Sequence, residues 1–137
     1  MILYIIKQWE ENKHKLEEYF RTTPQSEYEE YETIVKKLFE LCIPEANKYY
    51  SWDYDKMTVI DDGDYQGTLI FVIPFDAYQP DIEQYGIVDT YYGSCSGCDT
   101  LLGISAYKTG LPSENQIEQY MTLALHLVQK LKTLKYE

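Results

Sequence analysis

The sequence predicts an α+β fold: a small antiparallel sheet of three or four strands packed against helices from the N-terminal and C-terminal ends of the chain. Three observations lead there. Apolar residues recur at helical spacing in the first and last thirds, while the middle holds short β-branched and aromatic runs bounded by Gly, Pro and Asp. The connection between two of those runs is also too short to contain a crossover helix.

The elements follow in order. Ile2, Ile5, Ile6, Trp9, Leu16, Tyr19 and Phe20 share one face of a first helix, which Thr22-Thr23-Pro24 interrupts, because proline disfavours helical geometry in the residue before it. Ser26 with Glu29 then reads as a capping box opening a second helix. Its inward stripe is Tyr31, Ile34, Val35, Leu38, Phe39 and Cys42, and it ends near Pro44. Extended runs follow at Met57 to Ile60, Thr68 to Ile73 and Tyr85 to Tyr92. The first two pair as a hairpin through Asp61-Asp62-Gly63-Asp64-Tyr65-Gln66-Gly67. Leu69-Ile70-Phe71-Val72-Ile73 lacks polar alternation, which places that strand at the centre of the sheet with both faces covered. Asp99 to Tyr107 reads as a short helix, weakened at Gly103 by about 1 kcal/mol relative to alanine. A last helix is capped by Ser113 with Gln116, buries Ile117, Tyr120, Met121, Ala124, Leu127, Val128, Leu131 and Leu134, and gathers Lys130, Lys132 and Lys135 at its C-terminal end.

With 137 residues, 45% of them hydrophobic, the expectation is one domain with a core of its own. The net charge of −11 is unevenly spread: residues 45–99 hold eleven acidic and two basic groups, together with eight of the fifteen tyrosines. Such a surface repels phosphate backbones and anionic lipid heads, so direct nucleic-acid or membrane binding is disfavoured. The apolar start is closed by Lys7 before it reaches signal-peptide length, and no later run is long enough to span a bilayer. Three cysteines, an odd number without an export signal, point to reduced thiols in the cytoplasm.

The densest motif is Tyr91-Tyr92-Gly93-Ser94-Cys95-Ser96-Gly97-Cys98-Asp99. Cys95 and Cys98 have dithiol spacing, and a helix starting at Asp99 would lower their pKa, which suits thiol exchange. The alternative is a tight turn out of a strand, with Gly93 and Gly97 in conformations other residues resist and the cysteines packed as small hydrophobes. A zinc site would have to draw on Cys42, Cys95, Cys98, His14 and His126, and His126 falls on the polar face of its helix. Gly93-Ser94-Cys95-Ser96-Gly97 loosely fits a nucleophile elbow, but the only downstream histidine is that same His126. Asp61-Asp62-Gly63-Asp64 is half of a calcium loop and reads as a solvated hairpin turn. No cofactor and no metal is expected.

The segments Asp61 to Thr68, Ala77-Tyr78-Gln79-Pro80 and Tyr92 to Leu101 resemble a group of small, uncharacterised proteins encoded by phages and prophages of Gram-positive bacteria. The resemblance covers about residues 57–130 and brings no catalytic residue with it. It implies a phage or mobile-element accessory protein acting inside a bacterium.

The functional expectation is a non-enzymatic interaction module. Asp53, Asp55, Asp61, Asp62, Asp64, Tyr65, Asp76, Tyr78, Asp81 and Glu83 would form an anionic, tyrosine-studded face for a basic protein surface. That partner could be a nucleic-acid enzyme or defence protein of the host, with carboxylates standing in for phosphates. The alternative is a thiol-dependent protein using Cys95 and Cys98. The oligomeric state is left open.

Overall fold

A computed structural model of the chain describes residues 2–134. Helix α1 (Ile2–Thr22) turns Ile5, Trp9, Leu16 and Phe20 into the core. Ile2, expected in that stripe, occupies the first residue of the helix and is 45% exposed. Gln8 takes a buried place instead: its amide donates to the Glu45 carbonyl at 2.8 Å and accepts from the Glu45 N–H at 3.0 Å. Burying that polar side chain is tolerated because both of its ends are paired.

Helix α2 (Tyr31–Leu41) buries Tyr31, Ile34, Val35, Leu38 and Phe39, followed by Cys42, as the periodicity predicts. Its start differs from the expected capping box. Ser26 N–H does donate to the Glu29 carboxylate, but that contact closes a turn ahead of the helix, and the N-cap is Glu30 with no side-chain bond.

After a single 3-10 turn at Tyr54–Lys56 come β1 (Thr58–Asp61), β2 (Gly67–Pro74) and β3 (Tyr85–Tyr92), then α3 (Thr100–Ser105) and α4 (Glu114–Lys130). The α4 capping box forms as expected: Ser113 Oγ accepts the Gln116 N–H at 3.1 Å while the Gln116 side chain accepts the Ser113 N–H at 2.9 Å. The helix then stops earlier than its apolar stripe. Leu131 leaves helical geometry, and the chain enters a short fourth strand, β4 (Lys132–Thr133), that pairs with Gly86 and Ile87. Lys132 and Leu134 are therefore outside the helix, and Lys135 lies outside the described residues.

All pairings are antiparallel, in the order β1-β2-β3-β4. The fold class is thus α+β, with N-terminal and C-terminal helices on one face of a four-stranded sheet. Phe71, Ile73 and Val88 point into the same buried cluster as Leu38, Phe39 and Leu127. Trp52 stands edge-on to Phe39 and Phe75 and lies against Gly86, where a Cβ would come within 2.5 Å of its ring.

The sheet has an open side. β2 is central, as predicted, but only one of its faces is covered. The register aligns Ile60 with Ile70, Thr58 with Val72, and Val72 with Ile87 on the face away from the helices, and all five are half-buried or exposed. The missing polar alternation in β2 therefore reflects an apolar outer face and not a second covering layer.

Candidate functional site

The predicted acidic face divides into two groups. Asp61, Asp62, Asp64 and Tyr65 belong to the end of β1 and the β1–β2 turn. Asp53, Asp55, Asp76, Tyr78, Asp81 and Glu83 gather at the opposite end, where Asp53 N–H donates to the Pro74 carbonyl at 2.8 Å, Asp76 N–H to Ser51 at 2.8 Å and Phe75 N–H to Gln84 at 2.8 Å. The length of β2 separates them by about 23 Å at the usual rise of about 3.3 Å per residue. The ten residues are not one patch.

In the second group two of the carboxylates have local duties. Asp81 caps the 3-10 turn at Ile82–Gln84, and Asp53 lies 3.5 Å from the Lys56 ammonium. Tyr78, 96% exposed, reaches into solvent.

At the turn end the structure supplies what the sequence reading missed. Glu29 and Glu30, which lead into α2, and Glu32, in its first turn, converge with Asp61 on a cleft of about 280 Å³. Its floor is apolar: Val59, Leu69, Phe71 and Leu102. For Glu32 part of the reason is local, since a carboxylate in the first helical turn complements the helix dipole. Folding adds the rest by bringing the start of α2 across a cleft from the hairpin, which no spacing in the sequence announces.

The cleft wall is held rigidly. Asp61 accepts the Tyr92 hydroxyl and, at 2.9 Å, the Gly63 N–H, and Asp62 accepts the Thr68 N–H at 2.6 Å, so the turn is closed by its own carboxylates. The Tyr92 hydroxyl, followed by the Gly63 N–H, pulls the Asp61 pKa below its ordinary value. The same bond pushes Tyr92 up to about 12, because ionising the phenol would place two anions together.

Beneath Tyr92, Asp99 is buried and shared among three donors: Tyr31 Oη at 3.0 Å, Gly93 N–H at 2.9 Å and Leu102 N–H at 3.1 Å. Tyr31 Oη in turn accepts the Leu101 N–H at 3.1 Å. This cluster ties α2, the end of β3 and the start of α3 together, and Asp99 serves as the N-cap that lets α3 form in spite of Gly103.

Gly93 is required by close approach, since a Cβ there would run into the Cys98 carbonyl. Contrary to expectation, neither Gly93 nor Gly97 has a positive φ, and a Cβ on Gly97 would meet nothing closer than 3.9 Å. The cysteines of the loop are not packed as core residues either: Cys95 is exposed and Cys98 half-buried. Their sulfurs lie 2.7 Å apart, and Cys98 Sγ accepts the Cys95 N–H at 3.1 Å. The Cys95 side chain is the main cause of a lowered Cys98 pKa, whereas burial raises Cys42 to about 11. His126 is exposed on α4 beside Thr122 and Gln119, and among the described residues no three His, Cys, Asp or Glu side chains are arranged to hold a metal ion.

Comparison with protein-family models, with curated proteins and with solved structures returned no match, so the site is interpreted from its own geometry. Among the described residues no helix is long and apolar enough to cross a membrane.

Proposed function

We propose that this chain is a non-enzymatic protein-interaction module, and that its docking site is the cleft between α2 and the β1–β2 hairpin. The observation that carries this reading is the pairing of an apolar floor with walls bearing Glu29, Glu30, Glu32 and Asp61. A cationic side chain from a partner would find carboxylates for its head and apolar surface for its stem, the way lysine and arginine settle at interfaces. The exposed Tyr65 and Asp64 extend the same end of the molecule. In a phage or prophage setting, inside a bacterial cell, the partner is a basic surface of a host nucleic-acid enzyme or defence protein, whose phosphate-binding groups the carboxylates engage.

The test is a charge-reversed protein carrying Glu29→Lys, Glu30→Lys and Glu32→Lys, compared with wild type for binding to a cationic protein at low and high salt. Wild type should bind at low salt and release as screening rises, and the variant should not bind. Equal binding by both proteins would sink the assignment of the site.

A second reading keeps support from one distance. Sulfurs 2.7 Å apart in an exposed loop are placed to exchange with a low-molecular-weight disulfide, forming the Cys95–Cys98 bond as two small thiols leave. A protein with Cys95→Ser and Cys98→Ser that folds and retains its biological effect removes this reading; loss of that effect in a folded variant would favour it over docking.

A further inference from the structure

Resting on the docking reading above, we propose that the free edge of β1 takes up an extended segment of the partner as a fifth strand. The partner's alternate side chains are basic on the cleft side and apolar on the other.

β1 ends the sheet order and pairs with β2 alone, so half of its backbone groups point away from the protein. All four of its residues are exposed. Natural sheets commonly blunt such an edge with lysine, proline or a bulge, because unpaired N–H and C=O groups invite another strand. Thr58-Val59-Ile60-Asp61 contains neither lysine nor proline, and its pairing with β2 is free of bulges. The other edge, β4, has two residues among those described, which makes β1 the longer edge there.

The two sides of β1 dictate what the added strand carries. Val59 and Asp61 face the cleft, so side chains of the newcomer on that side meet Glu29, Glu30 and Glu32 and are favoured when they are lysine or arginine. Thr58 and Ile60 face the other way, beside Ile70 and Val72, where an apolar residue would extend the outer sheet face and cover part of it. Because strand side chains alternate with period two, the segment that satisfies both sides alternates basic and apolar residues. Backbone pairing supplies the affinity and the alternation supplies the choice of partner.

A short synthetic peptide alternating lysine and valine is the probe, measured by fluorescence anisotropy at low salt. Versions N-methylated at alternate amides in each of the two phases serve as controls, since only one phase can face β1. The unmodified peptide should bind and slow hydrogen exchange at the outward amides of β1. One methylated phase should bind as well as the parent, and the other should lose on the order of tenfold or more, the loss expected when backbone hydrogen bonds are removed. If both phases bind like the parent, the edge inference fails while the acidic docking reading stands. Should no cationic peptide and no cationic protein bind at low salt, both fall.

Discussion

Asp99 is a buried carboxylate divided among a tyrosine hydroxyl and two backbone N–H groups, and its removal leaves all three donors without a partner. Each unsatisfied buried group costs about 1–3 kcal/mol, so Asp99→Ala should destabilise by about 3 kcal/mol or more. Tyr31→Phe, which deletes one donor and frees the Leu101 N–H, should cost about 1–3 kcal/mol. Urea unfolding of the two variants checks the order, and a larger loss for Tyr31→Phe would contradict it. The Tyr92–Asp61 pair makes a prediction about pH. Asp61, lowered in the folded state, contributes stability above its unfolded pKa of about 3.9 that is lost as pH falls through its folded value. Tyr92, raised to about 12, contributes stability that is complete below the unfolded tyrosine value of about 10 and lost as pH rises through about 12. Tyr92→Phe should return Asp61 towards the ordinary carboxylate range in an NMR titration and remove a phenol that ionises at about 12 from the ultraviolet titration at alkaline pH.

At the scale of elements, β2 separates two roles carried by adjacent residues of similar chemistry. Phe71 is fully buried against the helices, whereas Ile70 faces the open side. Phe71→Ala should cost about 3–5 kcal/mol, the usual range for a buried aromatic. Ile70→Thr should cost less than about 1 kcal/mol, as at a site with little to collapse. Thermal unfolding of both proteins measures the difference, and equal losses would mean that the outer face is covered after all. The hydrophobic run of β2 was legible as a strand, and its place between two neighbours was legible too. Which residues it left open was not, because a continuous apolar run has no alternation from which to read a face. The end of α4 shows a similar limit. Leu131 continues the helical stripe, yet the chain leaves the helix there and its N–H bonds the Val128 carbonyl as β4 begins, since pairing with Gly86 and Ile87 satisfies the backbone that the helix would otherwise have used.

For the whole molecule, the net charge of −11 acts on folding and on docking with opposite signs. Raising ionic strength from about 0.01 M to about 0.15 M shortens the screening length from about 30 Å to about 8 Å. Self-repulsion among the carboxylates then weakens, so the melting temperature should rise over the same range in which affinity for a cationic partner falls. Calorimetry and anisotropy across one salt series test this together, and a parallel rise of both would show that docking is not led by charge. The candidate site was only half visible in the sequence. The turn residues Asp61, Asp62, Asp64 and Tyr65 are legible in it, but Glu29, Glu30 and Glu32 come from a segment about thirty residues earlier, where Glu29 reads as a capping-box partner of Ser26 and the other two as ordinary polar positions around a helix start.

The sequence alone determined the helices, the hairpin, the capping of α4 and the excess of negative charge, because each follows from neighbours within a few residues: periodicity, turn chemistry and side-chain caps are local. Tertiary structure decided the rest. It parted the acids of residues 53–83 between two ends of the sheet, brought Glu29, Glu30 and Glu32 across a cleft from β1, and left one sheet face bare. Those outcomes depend on which surfaces meet across long separations, and burial is a property of the packed whole that no short stretch of chain encodes by itself.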